Sequence, residues 1–413
     1  MEKLEEIKNR LEEYKKLNLS LNMMRGIPSK EQLNLSMEMN EVLNRNSNFS
    51  SIDGIDCRSY GELTGIPECR KLLSDIIEVP ESNIIIFGNS SLNVMFDVLS
   101  HAMIKGILGN TPWCKLDKIK WLCPVPGYDR HFAMCEYFNM EMINIPMDAN
   151  GPDMDLIEKL VSEDDSIKGI WCVPKYSNPS GITYSDEVVR RFANLKPKAK
   201  DFRIFWDNAY SVHHLYDDHQ DFLLEIINEC EKAGNPDLVY KFTSTSKISF
   251  PGSGIAALAS SKNNLKEIED SLKFQTIGHD KLNQLRHVRF FKDLNGVKEQ
   301  MRKHASIIRP KFELVESIFE NNIKDYATWT KPRGGYFISL DTKYPIAKEV
   351  VTHCKELGLL LTPAGSSFPY HYDEKNSNIR ISPTYPSLED IETAMKVLCD
   401  VVKYESLMYL NNK

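Results

Sequence analysis

In the stretch "TSTSKISFPGSG", residues 243–254, Lys247 is set among small and hydroxyl-bearing side chains. A charged ammonium in strand-like, apolar surroundings is costly without a partner. A neutral lysine amine is different: it condenses with carbonyl groups, and it can take and return a proton. Ser244, Thr245, Ser246 and Ser253 bring hydroxyls to the same stretch. Upstream, "FRIFWDNAY" closes an apolar run on Asp207 and continues to Tyr210. A carboxylate at the end of a buried strand calls for a cationic partner, and a protonated ring nitrogen would serve. "GNSSLN" sets Ser90 and Ser91 at the start of a helical pattern. Free N–H groups and hydroxyls there suit a phosphate, or simply cap the helix. "PGYDRHF" offers Tyr128 as a ring to stack on a planar ligand, and "YSNPSG" offers the Asn178 amide at a turn. His213, His214 and His219 in "DNAYSVHHLYDDH" also attract notice, but they lack the spacing of a zinc site, and no metal centre is expected.

These side chains share one position in the pattern, just after a short apolar run. The runs are "NIIIF" (83–87), "IKWLC" (119–123), "IKGIWCV" (167–173), "FRIFWD" (202–207), "LVYKF" (238–242) and "GIAALAS" (254–260). Runs apolar throughout are strands covered on both faces. Helical patterns over 90–108, 153–162 and 185–194 lie between them. The alternation predicts an α/β domain with a mainly parallel sheet sandwiched by helices, plus a smaller α+β domain towards the C-terminus. Three spans are expected: an N-terminal helix (3–17) and extended arm within 1–60, a large domain over 61–300, and a small domain over 301–413. The arm stretch "RGIPSKEQLNLS" reads as extended, because Gly26 and Pro28 break helix. Ligands of such sheets bind outside the carboxyl ends of the strands. An anion cradle, a stacking ring, an amide, a carboxylate, a tyrosine and a lysine at that edge together describe a site for pyridoxal phosphate.

Composition fits a globular protein of 413 residues, 42% hydrophobic and 26% charged. A net charge of -7 argues against nucleic acid or an anionic membrane as the main partner. The nine cysteines are scattered, with no C-x-x-C pair, which suits a reducing cytoplasm. The charged N-terminal stretch lacks the apolar core of a secretory signal, and no run is long enough to span a bilayer.

"SNPSG", "WDNAY" and "STSK" occur in an order and at separations that resemble the fold-type I pyridoxal-phosphate enzymes of the aspartate aminotransferase superfamily. "YGELTGIPECR", "GNSSLNVMFD", "PGYDRHF" and "FPGSGIA" resemble a bacterial branch that includes aspartate aminotransferases and MocR-type aminotransferase domains. The resemblance implies Lys247 as the Schiff-base lysine and proton shuttle, and Asp207 as partner of the pyridine nitrogen with His131 behind it. It implies Tyr128 stacked on the ring, with Asn178 and Tyr210 bonded to the ring oxygen. Ser90, Ser91 and Ser244 would hold the phosphate, and Tyr60 would reach the phosphate of the neighbouring subunit of a homodimer. Arg380 in "NIRISP" would pair with the substrate α-carboxylate. The implied reaction moves an amino group between an amino acid, aspartate or glutamate among them, and a 2-oxo acid.

Two departures stand out. Ile255 occupies the place of a phosphate-binding arginine found in many relatives. The arginine that would grip a second substrate carboxylate is not identifiable: Arg25, Lys281, Arg286 and Arg289 are all candidates. A β-lyase or decarboxylase on the same scaffold therefore stays open. A cofactor-sensing transcription regulator is disfavoured, because residues 1–60 are not basic and carry no helix-turn-helix pattern.

Overall fold

Short runs of branched and aromatic residues form the central sheet of the computed structural model, which describes residues 4–412. Along the sheet the strands are Ile84–Ile86, Ala256–Ala259, Val239–Ser244, Arg203–Asp207, Ile167–Cys172, Lys120–Val125, Glu141–Asp148 and Gly151–Pro152. The five strands from Val239–Ser244 through Glu141–Asp148 form four pairs, all parallel. Ala256–Ala259 runs antiparallel between its two neighbours, and Gly151–Pro152 closes the far edge as a hairpin. The fold is thus α/β with a mainly parallel sheet flanked by helices.

Strands covered on both faces are apolar throughout because side chains alternate between two cores. Arg203–Asp207 shows this directly. Phe205 enters one core with Trp121, Trp171 and Phe242, while Ile204 and Trp206 enter the other with Phe192 and Tyr184. Asp207 therefore shares its face with Phe205. Glu141–Asp148 is different: its burial alternates, as befits a strand near the sheet edge, and no continuous apolar run announced it. Val239–Ser244 also hides a charge. Lys241 is buried and paired with Glu225 at 2.8 Å, and it donates to the Ile77 carbonyl at 2.6 Å.

A second assembly holds the three antiparallel strands Ala327–Trp329, Ile338–Thr342 and Asn378–Ile381. Its core includes Phe312, Val315 and Phe319, Leu340 and Ile379, and it draws in Ile7 and Leu11 of the N-terminal helix Leu4–Lys16. The helix Leu294–Asn322 runs across the expected boundary at residue 300. Val297 and Met301 sit in the first core, and Ile308 through Phe319 in the second. The arm is not wholly extended: Lys30–Asn34 is a short helix started by a capping box between Ser29 and Gln32. The S-x-x-Q spacing was the signal, overlooked beside Gly26 and Pro28. Among the described residues, no helix is long and apolar enough to cross a membrane.

Candidate active site

The carboxyl edge of the parallel strands gathers most of the expected residues. Val239–Ser244 ends on Ser244 and delivers Lys247 three residues later. Arg203–Asp207 ends on Asp207, opposite Phe242 in register. Lys247 Nζ lies 4.9 Å from the centre of the Tyr210 ring. Burial lowers the lysine pKa, and the negative charge of Asp207 works against that shift. Burial also raises the Tyr210 pKa well above the ordinary value, so its hydroxyl stays a donor.

Asp207 is 4% exposed, and its Oδ2 stands 3.2 Å from His131 Nε2. His131 is stacked on Trp171, ring centres 4.3 Å apart. The carboxylate's other oxygen, Oδ1, is buried without a hydrogen-bond partner among the described residues. A buried carboxylate oxygen is rarely left so, and it marks the place for a cationic N–H from a bound group. Tyr128 caps the helix Asp129–Tyr137 and meets His131 edge-on at 5.0 Å. Burial, then the charges of Asp129 and Asp207, push the Tyr128 pKa up to about 12.

The residues expected to form an anion cradle lie on loops at neighbouring strands. Ser90 is the N-cap of the helix Ser91–Lys105, yet its side chain makes no capping bond, which leaves its hydroxyl available. Ser244 Oγ donates to Ser246 Oγ at 3.1 Å, and Ser246 Oγ to the Asn89 carbonyl at 3.1 Å. A Cβ on Gly254 would meet Thr245 Oγ1, Ser246 N and Asn89 O at 3.1–3.3 Å, so glycine there lets two loops close together. Gly252, two residues earlier, faces open space. Thr245 and Ser249 bond to His287 Nε2 at 3.2 and 2.8 Å, pinning the lysine loop to the helix Lys281–Phe291.

Arg380 comes from the second assembly. Its Nη1 donates to Asp129 Oδ1 at 2.9 Å and to Asn178 Oδ1 at 3.5 Å, and its Nε to Thr362 Oγ1 at 3.4 Å. Thr362 in turn donates to the Met24 carbonyl, so the arm passes beside this arginine. Arg25 itself is exposed there. The remaining cations are engaged elsewhere. Lys281 Nζ holds the carbonyls of Ser59 and Gly61 at 2.7 and 2.9 Å, and so fixes the loop that carries Tyr60. Tyr60 is 83% exposed. Arg289 donates to the Asn48 carbonyl. Arg286 donates to Ser253 Oγ and Asn283 Oδ1 beside Gly254, while its buried Nε has no partner among the described residues. The three histidines of residues 213–219 part company. His213 is buried beside Tyr210 and Tyr336, His214 bonds the Tyr176 hydroxyl at 2.7 Å, and His219 sits exposed by Asp218.

Asp129, Thr362 and His287 escaped the sequence reading. Asp129 lies between two residues that were singled out, and Arg286 was weighed for a different site. Thr362 and His287 gain meaning only from partners far along the chain.

Comparison with known proteins bears on this geometry. Residues 1–413 match the family described as "Aspartate amino-transferase". An aspartate aminotransferase of Corynebacterium glutamicum is 44% identical over 394 residues, covering 95% of this chain and 90% of that protein. The crystal structure of an aspartate transaminase from the same organism superposes with a TM-score of 0.96 at 42% identity, covering 98% of this chain and 96% of that one.

Proposed function

This chain belongs to the aspartate aminotransferase family and moves an amino group between an amino acid and a 2-oxo acid; we propose that it does so with pyridoxal phosphate bound through Lys247. The observation that carries the reading is the buried, unpartnered Oδ1 of Asp207 at the sheet edge that also presents Lys247. When bound, the cofactor supplies an aldehyde that condenses with amines and a ring that spreads the charge of a carbanion.

The chain's own residues do the rest. Asp207 would accept a hydrogen bond from the protonated ring nitrogen, with His131 behind it. Tyr128 would stack on the ring, and Asn178 and Tyr210 would bond its oxygen. Ser90, Ser91 and Ser244 would hold the phosphate. Lys247, its pKa lowered by burial, would take the α-proton of the substrate as general base. Arg380 orients the α-carboxylate. The donor is a dicarboxylic amino acid, as the name of the Corynebacterium glutamicum relative suggests. The active unit is a cytoplasmic homodimer in which Tyr60 completes the neighbour's phosphate site, consistent with its exposure.

The positive charge missing at Ile255 comes from Arg286. It sits on the Ser253–Gly254 turn that abuts Asn89, with an N–H still to satisfy. Arg286→Leu should weaken cofactor binding about ten- to a hundredfold, the worth of one charge-assisted bond to phosphate. Fluorescence titration of the cofactor-free protein reads this directly, and unchanged affinity would remove Arg286 from the site.

The function is tested by mixing the purified yellow protein with single amino acids and no acceptor. One 2-oxo acid per site and then arrest, with turnover resuming only on adding a second 2-oxo acid, is the expected result. Sustained release of pyruvate and ammonia without acceptor would make the chain a lyase instead.

A further inference from the structure

We propose that Asp129 is a built-in counter-ion, holding the substrate's place on Arg380 and giving it up when a carboxylate ligand binds. The proposal rests on Arg380 as the ligand of the substrate α-carboxylate. In the described structure both Nη1 hydrogens are committed, one to Asp129 Oδ1 at 2.9 Å and one to Asn178 Oδ1 at 3.5 Å. The Phe337 ring covers the guanidinium, its centre 5.2 Å from Cζ. A two-point pairing between carboxylate and guanidinium through Nη1 requires one of these hydrogens.

The three partners are not equally able to yield. Asn178 is buried at 4% exposure, and Thr362 is buried and tied to the Met24 carbonyl. The Asp129 side chain is 29% exposed, and Arg380 is its one hydrogen-bond partner among the described residues. It stands at the first position of the helix Asp129–Tyr137, where the free N–H groups favour a carboxylate even after Arg380 is released. A turn of its side chain into water therefore frees Nη1 at small cost. Asp129 serves the empty site, because a guanidinium buried without a partner is expensive. Its effect on binding is competition: ligand affinity is the intrinsic affinity multiplied by the fraction of molecules in which Asp129 has let go. Substrate binding becomes an exchange of one carboxylate for another, and the pocket never carries two there at once.

The test titrates the holoenzyme with acetate and with succinate, carboxylates that have no amino group to react, following the cofactor absorbance and the heat of binding. Asp129→Asn keeps the shape and removes the competing charge. Both ligands should bind about three- to tenfold more tightly, with the KM for amino acids falling alike, while the saturated single-turnover rate changes less than about twofold. Asp129→Glu, which keeps the charge, should return the affinity towards wild type. Arg380→Met should weaken both ligands at least about tenfold in either background. Binding unchanged or weakened in Asp129→Asn, with Arg380→Met still defective, overturns the counter-ion and leaves the reading of Arg380 standing. Unaltered binding in Arg380→Met overturns that reading itself.

Discussion

Replacing Lys247 with alanine is expected to lower the rate of amino-group transfer by at least about 10,000-fold, because one amine serves as covalent anchor and as proton carrier. Burial lowers the Lys247 pKa, and its nearest charged opposite, Asp207, only partly offsets this. The wild-type rate should therefore rise with pH through the lowered lysine pKa, since the unprotonated form is the base. The residual rate of the variant should lack that limb. On substitution, stability should change in the opposite sense to the rate. A lysine whose folded pKa lies below its unfolded value binds fewer protons when folded. In the cofactor-free protein, stability then rises with pH between the two values, and the full penalty applies below the folded one. Alanine removes the penalty, so the cofactor-free variant should be at least as resistant to urea at neutral pH as the wild type. Single-turnover kinetics and urea midpoints read both effects. A variant that keeps more than about a hundredth of the rate would deny Lys247 its role as base. One that unfolds early would show the lysine to be a structural prop.

The residues of this site were legible where burial writes itself into local sequence. Asp207 and Lys247 stood out because each follows an apolar run that only a strand covered on both faces produces. Position relative to the sheet edge then gave Asn178, Tyr128 and Ser90 their places in the expectation. Legibility failed where a residue's meaning lies in a distant partner. Asp129 stands between Tyr128 and His131 in a stretch read for its rings, and its partner Arg380 is 251 positions away. Arg286 and His287 lie on the helix Lys281–Phe291, whose cations were weighed for a substrate carboxylate. One of them, Lys281, instead holds backbone carbonyls on either side of Tyr60. Lys241 passed as part of an apolar run because its ion pair with Glu225 hides a charge among strand residues. Glu141–Asp148 was missed for the opposite reason: near the edge, its alternation carries polar residues that break the run. Gly252 and Gly254 look alike in sequence, and only the approach of Asn89 and Ser246 separates them.

Asp207→Asn should cut the transfer rate about 100- to 1,000-fold, the usual loss when one preorganised electrostatic contact is removed from an active site. The substitution nearly preserves shape, so packing against His131 and Phe205 should survive. What changes is chemistry at Oδ1, the buried atom with no hydrogen-bond partner among the described residues. A carboxylate there can only accept, and it favours a positively charged N–H. An amide either offers a neutral oxygen, which favours it less, or turns its NH2 towards the ring and opposes the proton altogether. The second orientation is encouraged if His131 Nε2, 3.2 Å from the other oxygen, donates its hydrogen and claims the amide oxygen. Affinity for the cofactor phosphate should change little, since Ser90, Ser244 and Arg286 lie on other loops. The loss should appear in proton removal from the substrate, as a larger isotope effect with α-deuterated amino acid. The cofactor-free variant should also gain stability, because a buried carboxylate with an unpartnered oxygen costs more than an amide in the same place. A variant with wild-type rate and isotope effect would mean that Asp207 holds no ring proton. The unpartnered oxygen would then be a flaw in the core, with no part in the site. Activity lost together with stability would point the same way. Activity lost while stability rises is the signature of a charge kept at the fold's expense for the reaction.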